Sequence, residues 1–102
     1  MSILHTVNKS PFERDALASC LKFASEGASV LLMEDGVYAA LAGSSVESQV
    51  KAGLGKLSVY VLGPDLRARG FREDRLIDGI RVVDYAGFVD LAVENDKVQA
   101  WL

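Results

Sequence analysis

Apolar positions recur along this chain in two alternating rhythms, and the alternation predicts strands separated by helices. Residues 2–7 contain the run Ile3-Leu4-His5-Thr6-Val7 and read as a strand. Residues 11–26 instead carry apolar side chains at three- and four-residue spacing. At about 100° per residue, Ala16, Leu17, Cys20, Leu21, Phe23 and Ala24 share one arc, with Asp15, Ser19, Lys22 and Glu26 opposite. The start of this helix is expected at Ser10, where a serine N-cap, Pro11 and Glu13 compose a capping box, and Gly27 supplies its stop. Residues 29–33 are a continuous apolar run of strand length, the pattern of a strand covered on both faces.

Beyond a Glu34-Asp35-Gly36 turn, residues 37–42 read as a short apolar helix and residues 45–52 as another, ended by Gly53 and Gly55. Residues 57–62 are a third strand, Gly63-Pro64-Asp65 opens a helix to about residue 70, and residues 81–83 make a short fourth strand. Asp84 caps a last helix to about residue 94, followed by the tail Val98-Gln99-Ala100-Trp101-Leu102. Strands separated by helices of this length predict βαβ units, hence an α/β fold with a largely parallel sheet and right-handed crossovers.

Composition narrows the function classes. A chain of 102 residues, half apolar and a quarter charged, is expected to form one domain over residues 1–102 with a modest core. Its net charge of −3 gives no concentrated basic patch for direct binding of tRNA or DNA. No apolar run approaches the ~20 residues of a membrane span, and the first residues lack the pattern of a signal peptide. A single cysteine makes no internal disulfide and fits a reducing cytoplasm.

Sites in open parallel sheets gather beyond the carboxyl ends of the strands. Those ends deliver Asn8, Lys9 and Ser10; Glu34, Asp35 and Gly36; Gly63, Pro64 and Asp65; and Asp84 with Tyr85. None of these sets is a catalytic constellation. Dinucleotide and phosphate-loop glycine motifs are absent, as are paired Cys or His residues at metal spacing. Glu34-Asp35 is a candidate for a divalent ion, but adjacent acids before a glycine are more often a solvated turn. No cofactor and no metal are expected.

Cys20 is the one candidate for covalent chemistry. The reactive form of cysteine is the thiolate, and an ordinary thiol titrates at about 8.5. Two local routes to a lower value are closed. Cys20 lies well beyond the first turn, where the helix dipole acts, and its neighbours at three and four positions, Ala16, Leu17, Phe23 and Ala24, are uncharged. Any role for this thiol must therefore explain why it points toward packing atoms. His5, the sole histidine, pairs with Cys20 as a nucleophile and base only if their side chains meet; the alternative is a satisfied strand histidine near the core or an interface. Arg67, Arg69, Arg72 and Arg75 are interleaved with Asp65, Glu73, Asp74 and Asp78, so the only arginine concentration reads as a solvated or partner-facing segment. Trp101 beside Val98 and Leu102 either folds back onto the domain or docks on another subunit.

Several short motifs, taken in order, carry a resemblance. Leu4-His5-Thr6, Ser10-Pro11-Phe12, Ser25-Glu26-Gly27 and Glu34-Asp35-Gly36-Val37 are followed by Asp65-Leu66, Ala68-Arg69-Gly70, Val83-Asp84-Tyr85, Phe88-Val89 and Ala100-Trp101. Together they span nearly the whole chain and resemble the DsrH/TusB family of the DsrE-like superfamily. The resemblance implies a small three-layer α/β/α domain with a mostly parallel sheet of about four to five strands. It implies a cytoplasmic sulfur relay in which a heterohexamer, two copies each of this subunit, a DsrE/TusD-like and a DsrF/TusC-like subunit, passes persulfide sulfur to a DsrC/TusE-like acceptor. The resemblance further implies that the principal sulfur-carrying cysteine belongs to the DsrE/TusD-like partner, so this chain is not expected to be catalytic by itself. In having a cysteine at position 20 the chain resembles the branch that oxidises stored sulfur with dissimilatory sulfite reductase, and the resemblance implies that branch, with Cys20 as an auxiliary thiol. The alternatives are the branch for 2-thiolation of the tRNA wobble uridine, and a purely structural subunit with Cys20 in the core.

Overall fold

The computed structural model describes residues 2–102. Five strands, β1 (Ile3–Val7), β2 (Ser29–Leu32), β3 (Ser58–Leu62), β4 (Arg81–Val83) and β5 (Lys97–Trp101), form one sheet in the order β4-β3-β2-β1-β5. Every neighbouring pair is parallel. The connections hold four helices, α1 (Ala16–Phe23), α2 (Glu47–Gly53), α3 (Gly63–Ala68) and α4 (Tyr85–Glu94), so the fold is the α/β class that the alternating rhythms predict. The continuous apolar run after Ala28 becomes the central strand β2, in which Val30, Leu31 and Leu32 are all fully buried.

Two layers of unequal weight cover the sheet. On one face α1 and α2 pack with residues 34–40 and Leu66 of α3 over Val7, Val30, Leu32, Val59 and Val61. On the other, Leu4, Leu31 and Leu62 meet Leu91, Phe88 and Ala92, all from α4. The first face is closed by several elements and the second by one helix.

Three sequence expectations are corrected. The first helix begins at Ala16, not at Ser10. Ser10 instead closes a tight turn: its hydroxyl accepts the Phe12 N–H at 3.1 Å, and its carbonyl accepts the N–H groups of Glu13 and Arg14 at 3.1 Å each. Residues 11–15 bury little, and a helical turn without tertiary packing is marginal in water. The chain also leaves the helix at Ala24, so Phe23 stands at its last position and is 68% exposed. Gly27 serves the next turn, with φ +86°, the left-handed region that glycine enters at no steric cost. Residues Glu34–Ala40 form a single 3-10 helix that begins where the turn was expected. Gly36 lies there because a Cβ would collide with the carbonyl oxygen of Val7.

The tail folds back. It becomes β5 and pairs with β1 along its whole length, from Ile3 opposite Lys97 to Val7 opposite Trp101. Below this ladder, the Ser2 backbone N–H donates to the Asp96 carboxylate at 2.9 Å, and the Asp96 N–H donates to the Ser2 hydroxyl at 3.1 Å. That backbone donor holds the Asp96 carboxyl below its usual range.

Candidate functional site

Cys20 sits in the middle of α1, on the side facing the sheet, among Ala16, Leu17 and Leu21. It has no exposed surface. Burial without a compensating charge disfavours the thiolate, and the thiol is pushed up to about 12. The amphipathic arc read from the sequence therefore delivers Cys20 to the core.

His5 is almost as deep, at 4% exposure, on β1. Its Nδ1 accepts the indole N–H of Trp101 at 3.0 Å, which places the proton of a neutral ring on Nε2. Nε2 is buried and has no hydrogen-bond partner among the described residues. With one nitrogen taken by Trp101 and the other unpartnered, His5 is not the base of a Cys–His pair. Burial lowers its tendency to protonate. The structure thus brings His5 to Trp101 rather than to Cys20, and it resolves the tail tryptophan in favour of its own domain. Trp101 packs against the main core. Beside this pair, a cleft of about 610 Å³ opens below the end of α1, bounded by Ile3, His5, Phe23, Glu26, Gln99 and Trp101.

At the carboxyl ends of the strands the acids are used as braces. Asp35 accepts from Arg69 Nε at 3.0 Å and Nη2 at 2.9 Å, a bidentate donor set on one oxygen that ties the 3-10 helix to α3. Asp65 accepts the N–H of Glu34 at 2.6 Å, and Glu34 takes the left-handed conformation with φ +49°. Among the described residues, no three His, Cys, Asp or Glu side chains are grouped to hold a metal ion. Asp84 caps α4 by accepting the Gly87 N–H at 2.8 Å, as its position before the helix predicts. Of the other arginines, Arg72 makes an exposed ion pair with Asp74 at 3.4 Å. No helix is long and apolar enough to cross a membrane among the described residues.

Sequence reasoning missed the Asp35–Arg69 brace and the Ser2–Asp96 clasp. Both join residues more than thirty positions apart, and only the strand order makes them neighbours. The His5–Trp101 bond had a legible signal in two polar-tipped rings on apolar runs, but its partner choice needed the register of β5 on β1.

Comparison with known proteins agrees with this architecture. The chain superposes on the crystal structure of the ychN protein from E. coli with a TM-score of 0.84, at 20% identity and 98% coverage of each chain. It superposes on the protein MTH1491 from Methanobacterium thermoautotrophicum with a TM-score of 0.75, at 20% identity and 96% coverage of each. At those identities the likeness shows a shared fold. Sequence relatives are nearer. Protein TusB from Pectobacterium parmentieri is 38% identical over 99 residues, which cover 97% of this chain and all of that one. Protein TusB from Erwinia tasmaniensis is 42% identical over 100 residues at the same coverage. The family described as DsrH like protein matches residues 9–98, and with relatives alike over their full length the chain belongs to that family.

Proposed function

We propose that this chain is a sulfur-relay subunit that builds and shapes the sulfur-carrying site of a partner and carries no sulfur itself. The observation behind this is the burial of its only thiol. A persulfide carrier must present a thiolate to a donor, and Cys20 has no exposed surface and a thiol pushed up to about 12. The principal cysteine then lies on a DsrE/TusD-like subunit, with a DsrF/TusC-like subunit completing a heterohexamer of two copies each. A DsrC/TusE-like protein takes the sulfur onward. We assign the tRNA branch, 2-thiolation of the wobble uridine, because relatives of matching length carry the name TusB. The cysteine at position 20, the feature that resembles the sulfur-oxidising branch, keeps that branch as the second reading.

The test is the thiolated wobble uridine itself, measured by nucleoside mass spectrometry in cells lacking this chain and in cells restored with Cys20→Ala. The expected result is loss of the thiolated nucleoside on deletion and its return with the variant. Unchanged thiolation on deletion would overturn the branch. Failure of Cys20→Ala to restore it, with the variant present at normal abundance, would overturn the scaffold role.

A further inference from the structure

We infer that the exposed flank of α4 is the seat of a helix from a partner subunit, apolar along its centre and basic along its rim. This rests on the assembly role proposed above and names the surface and the chemistry that role would use. The first observation is the width of the apolar arc on α4. Phe88, Leu91 and Ala92 pack onto the sheet, whereas Tyr85, Val89 and Val93 follow one another at four-residue spacing and are 59%, 59% and 78% exposed. At about 100° per residue the two sets adjoin, so the apolar surface of α4 is wider than one sheet contact covers.

The second observation is the unequal layering. The opposite face of the sheet is closed by α1, α2 and residues 34–40, but this face carries α4 alone. Met33, Tyr60 and Val83 remain only partly buried on its floor. Val98 of β5 alternates away from Gln99 and Trp101 onto this same face, and is half exposed. A helix laid beside α4 would cover the Tyr85–Val89–Val93 ridge and reach one edge of that floor, Val83 on β4 and Val98 on β5 being on opposite edge strands.

Charge specifies which helix. Residues 84–96 contain Asp84, Asp90, Glu94 and Asp96 and no lysine, arginine or histidine. Asp84 is engaged as the cap of α4 and Asp96 by Ser2, whereas Asp90 and Glu94 are exposed and, among the described residues, in no ion pair or side-chain hydrogen bond. The unpaired carboxylates of Asp90 and Glu94 repel another acidic surface, including a second copy of this helix, and favour lysine or arginine at the partner's edge along α4, while Arg81, 5.9 Å over the Tyr60 ring, is the cation on the floor.

The experiment uses the full chain co-expressed with its DsrE/TusD-like and DsrF/TusC-like subunits, read by native mass spectrometry and by amide exchange across α4. Val93→Asp and Asp90→Lys with Glu94→Lys alter only exposed positions, and circular dichroism of the isolated variants checks that they fold. The expected results are slower exchange of α4 in the wild-type complex and at least a hundredfold weaker assembly of either variant. Unaltered assembly of both folded variants, with α4 exchanging as in the free chain, overturns the inference and leaves the assembly role standing. A homodimer of the isolated chain that Val93→Asp dissociates makes a second copy the occupant and also overturns it. A wild-type chain that joins neither subunit type overturns the assembly role instead.

Discussion

Cys20 should be among the least reactive thiols a small protein can hold. Raising its pKa from 9.0 to about 12 cuts the thiolate fraction at pH 7 from about 1% to about 10⁻⁵, a factor of roughly 1,000. A more basic thiolate is also a better nucleophile. With a Brønsted slope of about 0.4–0.5, a rise of about 3 units returns a factor of roughly 20. Ionisation alone therefore slows attack on a disulfide reagent by roughly fiftyfold. Opening offers the alternative route: Cys20 faces the sheet from α1 with no exposed surface, so a reagent that waits for the helix to open meets an ordinary thiol, and that rate follows the population of the open state. The assay is labelling by an aromatic disulfide at pH 7, with and without urea. The native chain should label at least a hundredfold more slowly than the denatured chain, and the rate should climb with urea below the unfolding midpoint. Native labelling within tenfold of the denatured rate would show an accessible, ordinary thiol and refute the reasoning.

Cys20→Ala should cost about 1 kcal/mol of stability by urea unfolding, and Cys20→Ser about 1–3 kcal/mol more, because a buried hydroxyl there lacks the partner a thiol does not need. Gly36→Ala should cost more than about 2 kcal/mol, since its Cβ meets the backbone carbonyl of Val7 rather than a movable side chain. The His5–Trp101 bond should weaken in mild acid. Burial holds the folded His5 below its ordinary 6.5, so its contribution is present above that value and declines as pH falls below it. Fluorescence of Trp101, the sole tryptophan, should shift in that window, and His5→Asn, which keeps an acceptor but does not titrate, should remove the shift. A shift that persists in His5→Asn would assign it to another group.

The extent to which the fold was legible followed from how local its signals were. β2, β3 and α4 announce themselves through five to ten consecutive residues and a good N-cap at Asp84, and they lie close to where those residues put them. The first helix misled because a capping motif is read in isolation, while the helix needs burial to persist; Ser10 spends its hydroxyl on Phe12 and the five residues after it stay in water. β5 was hidden for the opposite reason. Lys97-Val98-Gln99-Ala100 is a weak strand by composition, and its order comes from β1, which supplies a partner along all five residues, and from the bonds at each end. The depth of Cys20 was legible in the helical arc. The partner of His5 was not, because it lies 96 positions away on a strand that local pattern did not declare.

The most direct test of the scaffold role is intact mass on the assembled complex after exposure to a persulfide donor, with a thiol-blocked control. A chain whose only thiol is buried should keep its unmodified mass while one or more sulfur atoms appear on the DsrE/TusD-like subunit. A gain of one sulfur on this chain that disappears in Cys20→Ser would contradict the role and make Cys20 a carrier in the relay.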